Sequence, residues 1–110
     1  MSCFIKSNKE YQRIVKNGKR ISGRNVYAKF LFSEKEQFNY GVVVPKSICA
    51  SAVKRNRLRR IFKEAVRSIK GTGAISVDIV FFPRKEPGKD AYNDARHFVE
   101  MIIERLGGNY

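Results

Sequence analysis

Residues 75 to 83, ISVDIVFFP, form a nearly continuous apolar run, and this segment constrains the fold of the chain more than any other. A strand that is apolar on both sides is typical of the interior of a sheet. We therefore predict an interior strand here, at the centre of a sheet against which amphipathic helices pack.

Two long amphipathic segments are suited to cover such a sheet. Residues 51 to 70 repeat apolar side chains at i, i+3, i+4 and i+7, which predicts a helix that ends at Gly71 and Gly73. Its apolar stripe consists of Leu58, Ile61, Phe62, Ala65, Val66 and Ile69. A last helix is predicted from about Asp90 to Leu106, with the stripe Ala95, Phe98, Val99, Ile102, Ile103 and Leu106.

The N-terminal part of the chain predicts a shorter helix over residues 7 to 17. Ser7 is a plausible N-cap, and Glu10 follows at the spacing of a capping box. Gly18 is a natural residue to end this helix.

Two further strands are predicted between the first helix and the basic one. Residues 24 to 33 alternate, with Tyr27, Lys29 and Leu31 on the face opposite Val26, Ala28, Phe30 and Phe32. Residues 34 to 39 are polar turn material, and FNYGVVVP, residues 38 to 45, predicts a strand that is expected to form a hairpin with the first. The fold class is therefore α+β, a single domain over residues 1–110 with the order α-β-β-α-β-α.

Charge narrows the possible partners. The chain has 23 Lys and Arg against 10 Asp and Glu, a net charge of +13, which favours nucleic acid or an anionic membrane as partner. We expect no membrane partner, because no apolar run approaches the roughly 20 residues of a spanning helix and the N-terminus lacks a secretory signal. Cys3 and Cys49 are expected to be reduced thiols of a cytoplasmic protein.

Groups that could carry out catalysis are sparse. His97 is the single histidine and is expected at a helix surface, not as a metal ligand or a general base. The carboxylate pairs Asp90 with Asp94 and Glu100 with Glu104 fit helix capping and solvated faces better than acid–base catalysis. The main interpretation is a protein without catalytic residues of its own. The alternative is a nuclease in which the protein itself cleaves the substrate, without an RNA component.

The charge concentrates on the helix predicted over residues 51 to 70. Residues 53 to 60 read VKRNRLRR, and residues 53 to 70 hold eight cations and one carboxylate, Glu64. Arg, whose planar fork of donors suits phosphate, outnumbers Lys five to three. Helical spacing places most of these cations on the side away from the apolar stripe: Arg59, Arg60, Lys63, Arg67 and Lys70, with Arg57 on the flank and Lys54 and Arg55 in the first turn.

This pattern predicts an RNA-binding surface. On the cationic face of this helix, Asn56 alone belongs to the amide and hydroxyl residues that read base edges in a DNA groove. We therefore expect RNA and no DNA partner. Tyr11 and Tyr27 are candidates to stack unpaired bases. The alternative for either tyrosine is a half-buried aromatic that covers the sheet edge.

Residues 52 to 60, AVKRNRLRR, resemble the A-V-x-R-N-R-x-K/R-R core of the protein subunit of bacterial ribonuclease P. The likeness extends to EYQRIVKNG at residues 10 to 18, GVVVPK at residues 41 to 46 and DIV at residues 78 to 80. The resemblance covers most of the chain.

The resemblance implies an α/β sandwich with a left-handed crossover around the basic helix. It also implies a subunit of an enzyme that removes 5′ leaders from precursor tRNA. In that family, the catalytic RNA cleaves the phosphodiester with Mg²⁺ held mainly by RNA and substrate, and no protein motif binds a cofactor. A ribosomal or RNA-chaperone protein is the alternative.

The resemblance also implies two sets of binding residues. Those expected to contact the catalytic RNA are Lys46, Lys54, Arg55, Asn56, Arg57, Arg59, Arg60, Lys63 and Arg67. Those expected to contact the leader, in a cleft between the first helix and the sheet, are Tyr11, Val15, Tyr27 and Lys29.

Three positions depart from the family pattern. Ala50 stands where a glycine is common, so the loop entering the basic helix is expected to differ. Val15 and Lys29 stand where aromatics occur in the family, so leader contacts are expected to depend more on charge and less on stacking.

Overall fold

The fold was determined as a computed structural model that describes residues 2–69 and 75–107. Five strands and three helices follow one another along these residues. They are β1 (Ser2–Phe4), α1 (Asn8–Asn17), β2 (Lys19–Gly23), β3 (Val26–Phe32), β4 (Phe38–Val42), α2 (Ala52–Ser68), β5 (Val77–Pro83) and α3 (Ala91–Gly107). The predicted helix end at Lys70, Gly71 and Gly73 lies outside the described residues.

The five strands form one mixed sheet in the order β1-β4-β5-β3-β2. The apolar strand β5 is central, as predicted: Ile79 lies opposite Tyr40 of β4 in parallel register and opposite Phe30 of β3 in antiparallel register. Helix α2 connects the adjacent parallel strands β4 and β5. This connection is the crossover expected from the resemblance, and its left hand stays a prediction.

Helices cover both faces of the sheet, which explains why β5 is apolar on both sides. Val77, Ile79 and Phe81 point into the main core, which is formed with α2 and α3. Val80 points the other way, into a smaller cluster with Ile14 of α1. The predicted α+β sandwich is confirmed.

Two short strands were not predicted, so the observed order is β-α-β-β-β-α-β-α. β1 has three residues, and β2 buries only Ile21 among five, so neither shows a periodic apolar pattern. The predicted order holds for the six elements that it names.

The predicted hairpin between the strands at 24–33 and 38–45 is wrong. β3 pairs with β2 through a tight turn in which Asn25 adopts a left-handed conformation with φ of 59°. Asn tolerates this conformation better than most side chains. β4 instead pairs in parallel with β1 and β5 and ends at Val42, short of the predicted Pro45.

The two helices that carry candidate site residues begin differently. Ser51 caps α2, because its hydroxyl accepts a hydrogen bond from the backbone N–H of Lys54. Ser7 makes no side-chain cap at α1, so the predicted capping box does not form, and Glu10 instead pairs with Arg13 at 3.0 Å. Gly18 ends α1 as predicted, where a Cβ atom would lie 2.4 Å from the carbonyl oxygen of Ile14.

Candidate RNA-binding surface

Helix α2 separates an apolar underside from a cationic outer face. Five of its predicted stripe residues are buried: Leu58, Ile61, Phe62, Ala65 and Val66. Most polar candidates on the same helix are exposed: Lys54, Asn56, Arg57, Arg60, Lys63 and Arg67. The predicted outward direction is confirmed for Arg60, Lys63 and Arg67, whereas Arg59 is half-buried and Lys70 lies outside the described residues. Buried packing of the underside fixes this face relative to the sheet.

Three guanidinium groups of the outer face are available to an external anion. Arg57, Arg60 and Arg67 make no hydrogen bond or ion pair with any part of the chain that the structure describes. Lys46, in the loop before α2, is likewise exposed. Burying the underside while leaving these charges unpaired creates a fixed positive ridge.

Arg55 has a different role from its neighbours on the helix. Its Nη1 donates to the carbonyl oxygens of Cys49 at 3.1 Å and Ala50 at 2.8 Å. These two bonds hold the loop that enters α2, at the place where Ala50 departs from the family pattern. This contact could not be predicted, because a run of cationic residues does not reveal which guanidinium turns back to the backbone.

Two other predicted contact residues have weak partners on the surface. The Nζ atom of Lys54 lies 3.3 Å from a carboxylate oxygen of Glu86, and both side chains are 52% exposed. Arg59 donates to the Oδ1 atom of Asn56 at 2.8 Å. Exposed pairs of this kind contribute about 0–1 kcal/mol, so an RNA phosphate can compete for these cations.

Tyr11 lies on the other side of the sheet, where α1 packs. Its hydroxyl donates to the carbonyl oxygen of Ile5 at 3.1 Å, and its ring fills the space that a side chain on Gly41 would take. Burial raises the pKa of the Tyr11 phenol, opposed by a hydrogen bond with the Val42 backbone and by the positive charge of Arg59. Tyr11 is thus half-buried and held by contacts with Ile5 and Gly41. The positive charge of Arg59 on α2 acts on its hydroxyl.

Lys29 and Val15 are brought together at the end of α1. The Nζ atom of Lys29 donates to the carbonyl oxygen of Val15 at 3.0 Å. A cation is favourable there, because the last carbonyls of a helix carry partial negative charge. The contact joins β3 to α1 at one wall of the expected cleft.

Tyr27 lies in a stack of side chains on the same face of the sheet. Phe82 of β5 stacks on it with ring centroids 4.7 Å apart and an interplanar angle of 7°. The guanidinium carbons of Arg20 and Arg84 lie 4.0 and 5.8 Å from the Tyr27 centroid. A cavity of about 270 Å³ adjoins this stack, lined by Arg20, Tyr27, Pro45, Ser47, Ile48, Phe82, Pro83 and Arg84.

The site residues missed from the sequence are therefore Arg20, Phe82 and Arg84. Arg20 lies on β2, a strand without a recognisable pattern, so its direction was not predicted. Phe82 was recognised as a strand residue, but its position beside Tyr27 depends on the β3–β5 pairing, which places the two directly opposite each other.

A larger cavity, of about 730 Å³, lies on the opposite face, where α3 and the loop before it meet the β2–β3 turn. Its rim mixes the cations Arg24, Lys85 and Lys89 with the acids Glu86, Asp90 and Asp94. His97 lies at its wall and is exposed, as predicted for a helix-surface residue. Mixed charge gives this cavity no preference for an anion.

The described part of the chain offers neither a group of metal ligands nor a membrane-spanning helix. Within residues 2–69 and 75–107, no three His, Cys, Asp or Glu side chains are grouped so that they could hold a metal ion. None of the helices described there has both the length and the apolar character needed to cross a membrane. Cys3 and Cys49 are free thiols, and Cys49 is buried.

Nearly all of the chain matches one known protein family. The family model Ribonuclease P matches residues 2–107. The ribonuclease P protein component of Carboxydothermus hydrogenoformans is 35% identical over 105 residues, covering 94% of this chain and 84% of the relative. That of Pelotomaculum thermopropionicum is 37% identical over 82 residues, covering 74% of this chain and 72% of the relative.

Solved structures show the same architecture. The RNase P protein from Thermotoga maritima superposes with a TM-score of 0.75 at 23% identity, covering 93% of this chain and 96% of that chain. An RNase P protein from Staphylococcus aureus superposes with a TM-score of 0.70 at 28% identity, covering 90% of this chain and 87% of that chain. The five-stranded sheet with three helices is thus a fold already seen in solved structures.

Proposed function

The chain belongs to the ribonuclease P protein family, and we propose that, as the protein subunit of that ribonucleoprotein, it binds the catalytic RNA through the exposed cations of α2. The same proposal assigns the cleft beside α1 to the single-stranded 5′ leader of precursor tRNA. The protein would then promote endonucleolytic removal of the leader, while the catalytic RNA carries the chemistry.

One observation carries the first part of this proposal. Arg57, Arg60 and Arg67 project from one helix face without a carboxylate partner among the described residues, while the underside of that helix is buried. Holding like charges together opposes folding, and an RNA backbone offsets that cost by matching each guanidinium with phosphate. Base reading is not needed, because contacts with phosphates position a protein without carrying sequence information.

The cleft is suited to a single strand for a different reason. Its aromatic and cationic groups alternate: Tyr27 is flanked by Arg20 and Arg84, and Lys29 lies further along the same strand. Single-stranded RNA is commonly bound by such a combination of planar groups and positive charge.

The proposal assigns Mg²⁺ to the RNA and the substrate. The buried carboxylate of this face, Asp78, already accepts hydrogen bonds from Arg13 at 2.6 Å and Asn39 at 2.9 Å. In the proposed function the protein contributes binding and positioning, and the catalytic RNA with its metal ions supplies the cleavage chemistry. The comparisons do not favour the alternative of a ribosomal or chaperone protein.

Reconstitution tests the proposal directly. The protein is added to the catalytic RNA at low Mg²⁺, and leader removal from precursor tRNA is measured; we expect cleavage to recover. Binding to the catalytic RNA is then measured against salt concentration for the double variant Arg57→Ala/Arg60→Ala. We expect weaker binding and a log–log slope shallower by about 1 per lost phosphate contact.

A charge-matched variant serves as control. Lys35→Ala/Arg96→Ala removes two exposed cations that lie outside α2, so it should retain the salt slope of the unaltered protein. An unchanged slope and affinity in the α2 double variant would remove that helix from the interface. Cleavage of precursor tRNA by the protein without RNA would instead support the protein-only nuclease.

A further inference from the structure

We propose that Arg20 is the side chain of the leader cleft that contacts single-stranded RNA, and that Tyr27 acts through it as a positioning residue. This inference rests on the proposed function and changes the assignment within it, since the sequence makes Tyr27 itself a candidate to stack on a base.

Both faces of the Tyr27 ring are occupied. Phe82 stacks on one face, nearly parallel, with the centroids 4.7 Å apart. The guanidinium carbon of Arg20 lies 4.0 Å from the same ring centroid, a distance that requires the other face. A nucleobase therefore has no free face of Tyr27 on which to stack.

Arg20 lies over the Tyr27 ring and is itself exposed. It is diagonal to Tyr27 across the β2–β3 pair, where Ser22 is the direct partner of Tyr27, and long side chains reach such diagonal neighbours. Its Nε atom donates to the Ser22 hydroxyl at 3.4 Å, which leaves the two Nη groups for other partners. The guanidinium is thereby the outer layer of the stack Phe82–Tyr27–Arg20.

The surroundings favour a nucleotide as the fourth layer. Arg20 is exposed and has no carboxylate partner within the described residues. None of the residues that line the adjoining cavity is acidic, and Arg84 adds a second positive charge beside the same ring. A guanidinium plane stacks on RNA bases, and nearby positive charge favours the phosphodiester backbone.

The test measures binding of precursor tRNA and of mature tRNA to the holoenzyme reconstituted with the catalytic RNA. Arg20→Ala should weaken precursor binding about tenfold, the loss of one stacked base, and leave mature tRNA binding unchanged. Arg20→Lys should also weaken precursor binding, because it keeps the charge and removes the plane. Arg24→Ala, which removes an exposed arginine at the β2–β3 turn, is the control and should bind both RNAs normally.

A double-mutant cycle separates the roles of the two side chains. Tyr27→Phe keeps the ring and should bind as the unaltered protein does. Tyr27→Leu should weaken precursor binding when Arg20 is present and have little further effect in the Arg20→Ala background.

Three results would overturn the inference. Unchanged precursor binding by Arg20→Ala would show that Arg20 makes no contact that contributes to affinity, and tighter binding would show that the base stacks on Tyr27 in its place. Precursor binding by Arg20→Lys equal to that of the unaltered protein would show that only the charge of Arg20 contributes to the contact. Equal affinity of the unaltered holoenzyme for precursor and mature tRNA would contradict the proposed leader site itself, which is a distinct failure from a neutral Arg20 substitution.

Discussion

At the scale of single residues, one buried carboxylate joins α1 to the sheet. The side chain of Asp78 is 8% exposed and accepts a 2.6 Å hydrogen bond from Arg13, whose side chain is 43% exposed. Asn39 of β4 donates to the other oxygen. Asp78 interrupts the apolar run of β5, and its two partners lie 65 and 39 residues away in sequence. The apolar run therefore predicts a buried strand, but it does not predict these hydrogen bonds.

Asp78→Asn should therefore destabilise the protein. The substitution keeps the size of the side chain, removes the charge that pairs with Arg13, and places an amide N–H₂ group against one of two donors. We expect a loss of about 2 kcal/mol in the free energy of unfolding, below the value for a fully buried pair because Arg13 is partly solvated. Urea denaturation measures it.

Glu10→Gln is the matched control for this prediction. Glu10 is the second, exposed partner of the same arginine, at 3.0 Å. Its loss should cost less than about 0.5 kcal/mol, as for most exposed pairs. Equal losses for the two variants would show that burial of Asp78 contributes nothing to the strength of its pair.

At the scale of elements, the helix α2 that carries the cationic face has its N-terminus capped by the side chain of Ser51. Ser51→Ala removes the hydroxyl that accepts from the Lys54 N–H, so we expect a loss of about 1 kcal/mol in the free energy of unfolding. Ser7→Ala at α1 is the comparison, because Ser7 has the same N-cap position without a side-chain hydrogen bond. Thermal or urea unfolding that gives equal losses would contradict the role of the Ser51 hydroxyl.

The elements also show which parts of the fold a sequence predicts. Helices α2 and α3, each of 17 residues, repeat their apolar stripe over several turns, and both were predicted to within about two residues over the described part. β2 buries one residue in five and has no such repeat. Because Arg20 lies on that strand, missing β2 also meant missing the stack over Tyr27.

Predicting which strands pair with each other is harder than predicting which segments form strands. The polar turn at residues 34–39 suggested a hairpin because neighbouring strands in sequence often pair. The structure inserts β5 between β3 and β4 instead. Local alternation identifies a strand and its faces, whereas its neighbours depend on long-range packing that includes both long helices.

At the scale of the whole molecule, the net charge of +13 on 110 residues predicts that the stability of the fold depends on anions. We expect inorganic phosphate to raise the thermal midpoint more than sodium chloride at the same ionic strength, because phosphate should bind the unpaired guanidinium groups of the folded protein, whereas chloride mainly screens charge. Calorimetry or circular dichroism measures the shift.

The variant Arg57→Ala/Arg60→Ala provides the control, since it lacks two of the unpaired guanidinium groups. Its midpoint should respond less to phosphate than that of the unaltered protein. Identical shifts with phosphate and chloride would mean that general screening accounts for the whole effect.

The place of β5 in the sheet governs when a newly made chain can fold. β5 separates β3 from β4 but follows both along the chain. Before residue 77 emerges from the ribosome, the strands described upstream of it have two pairings to make, β1 with β4 and β2 with β3. Isolated two-stranded pairs are marginal in water, so we expect the nascent polypeptide to stay open while its arginine-rich segment has already left the ribosome and is exposed to nearby RNA.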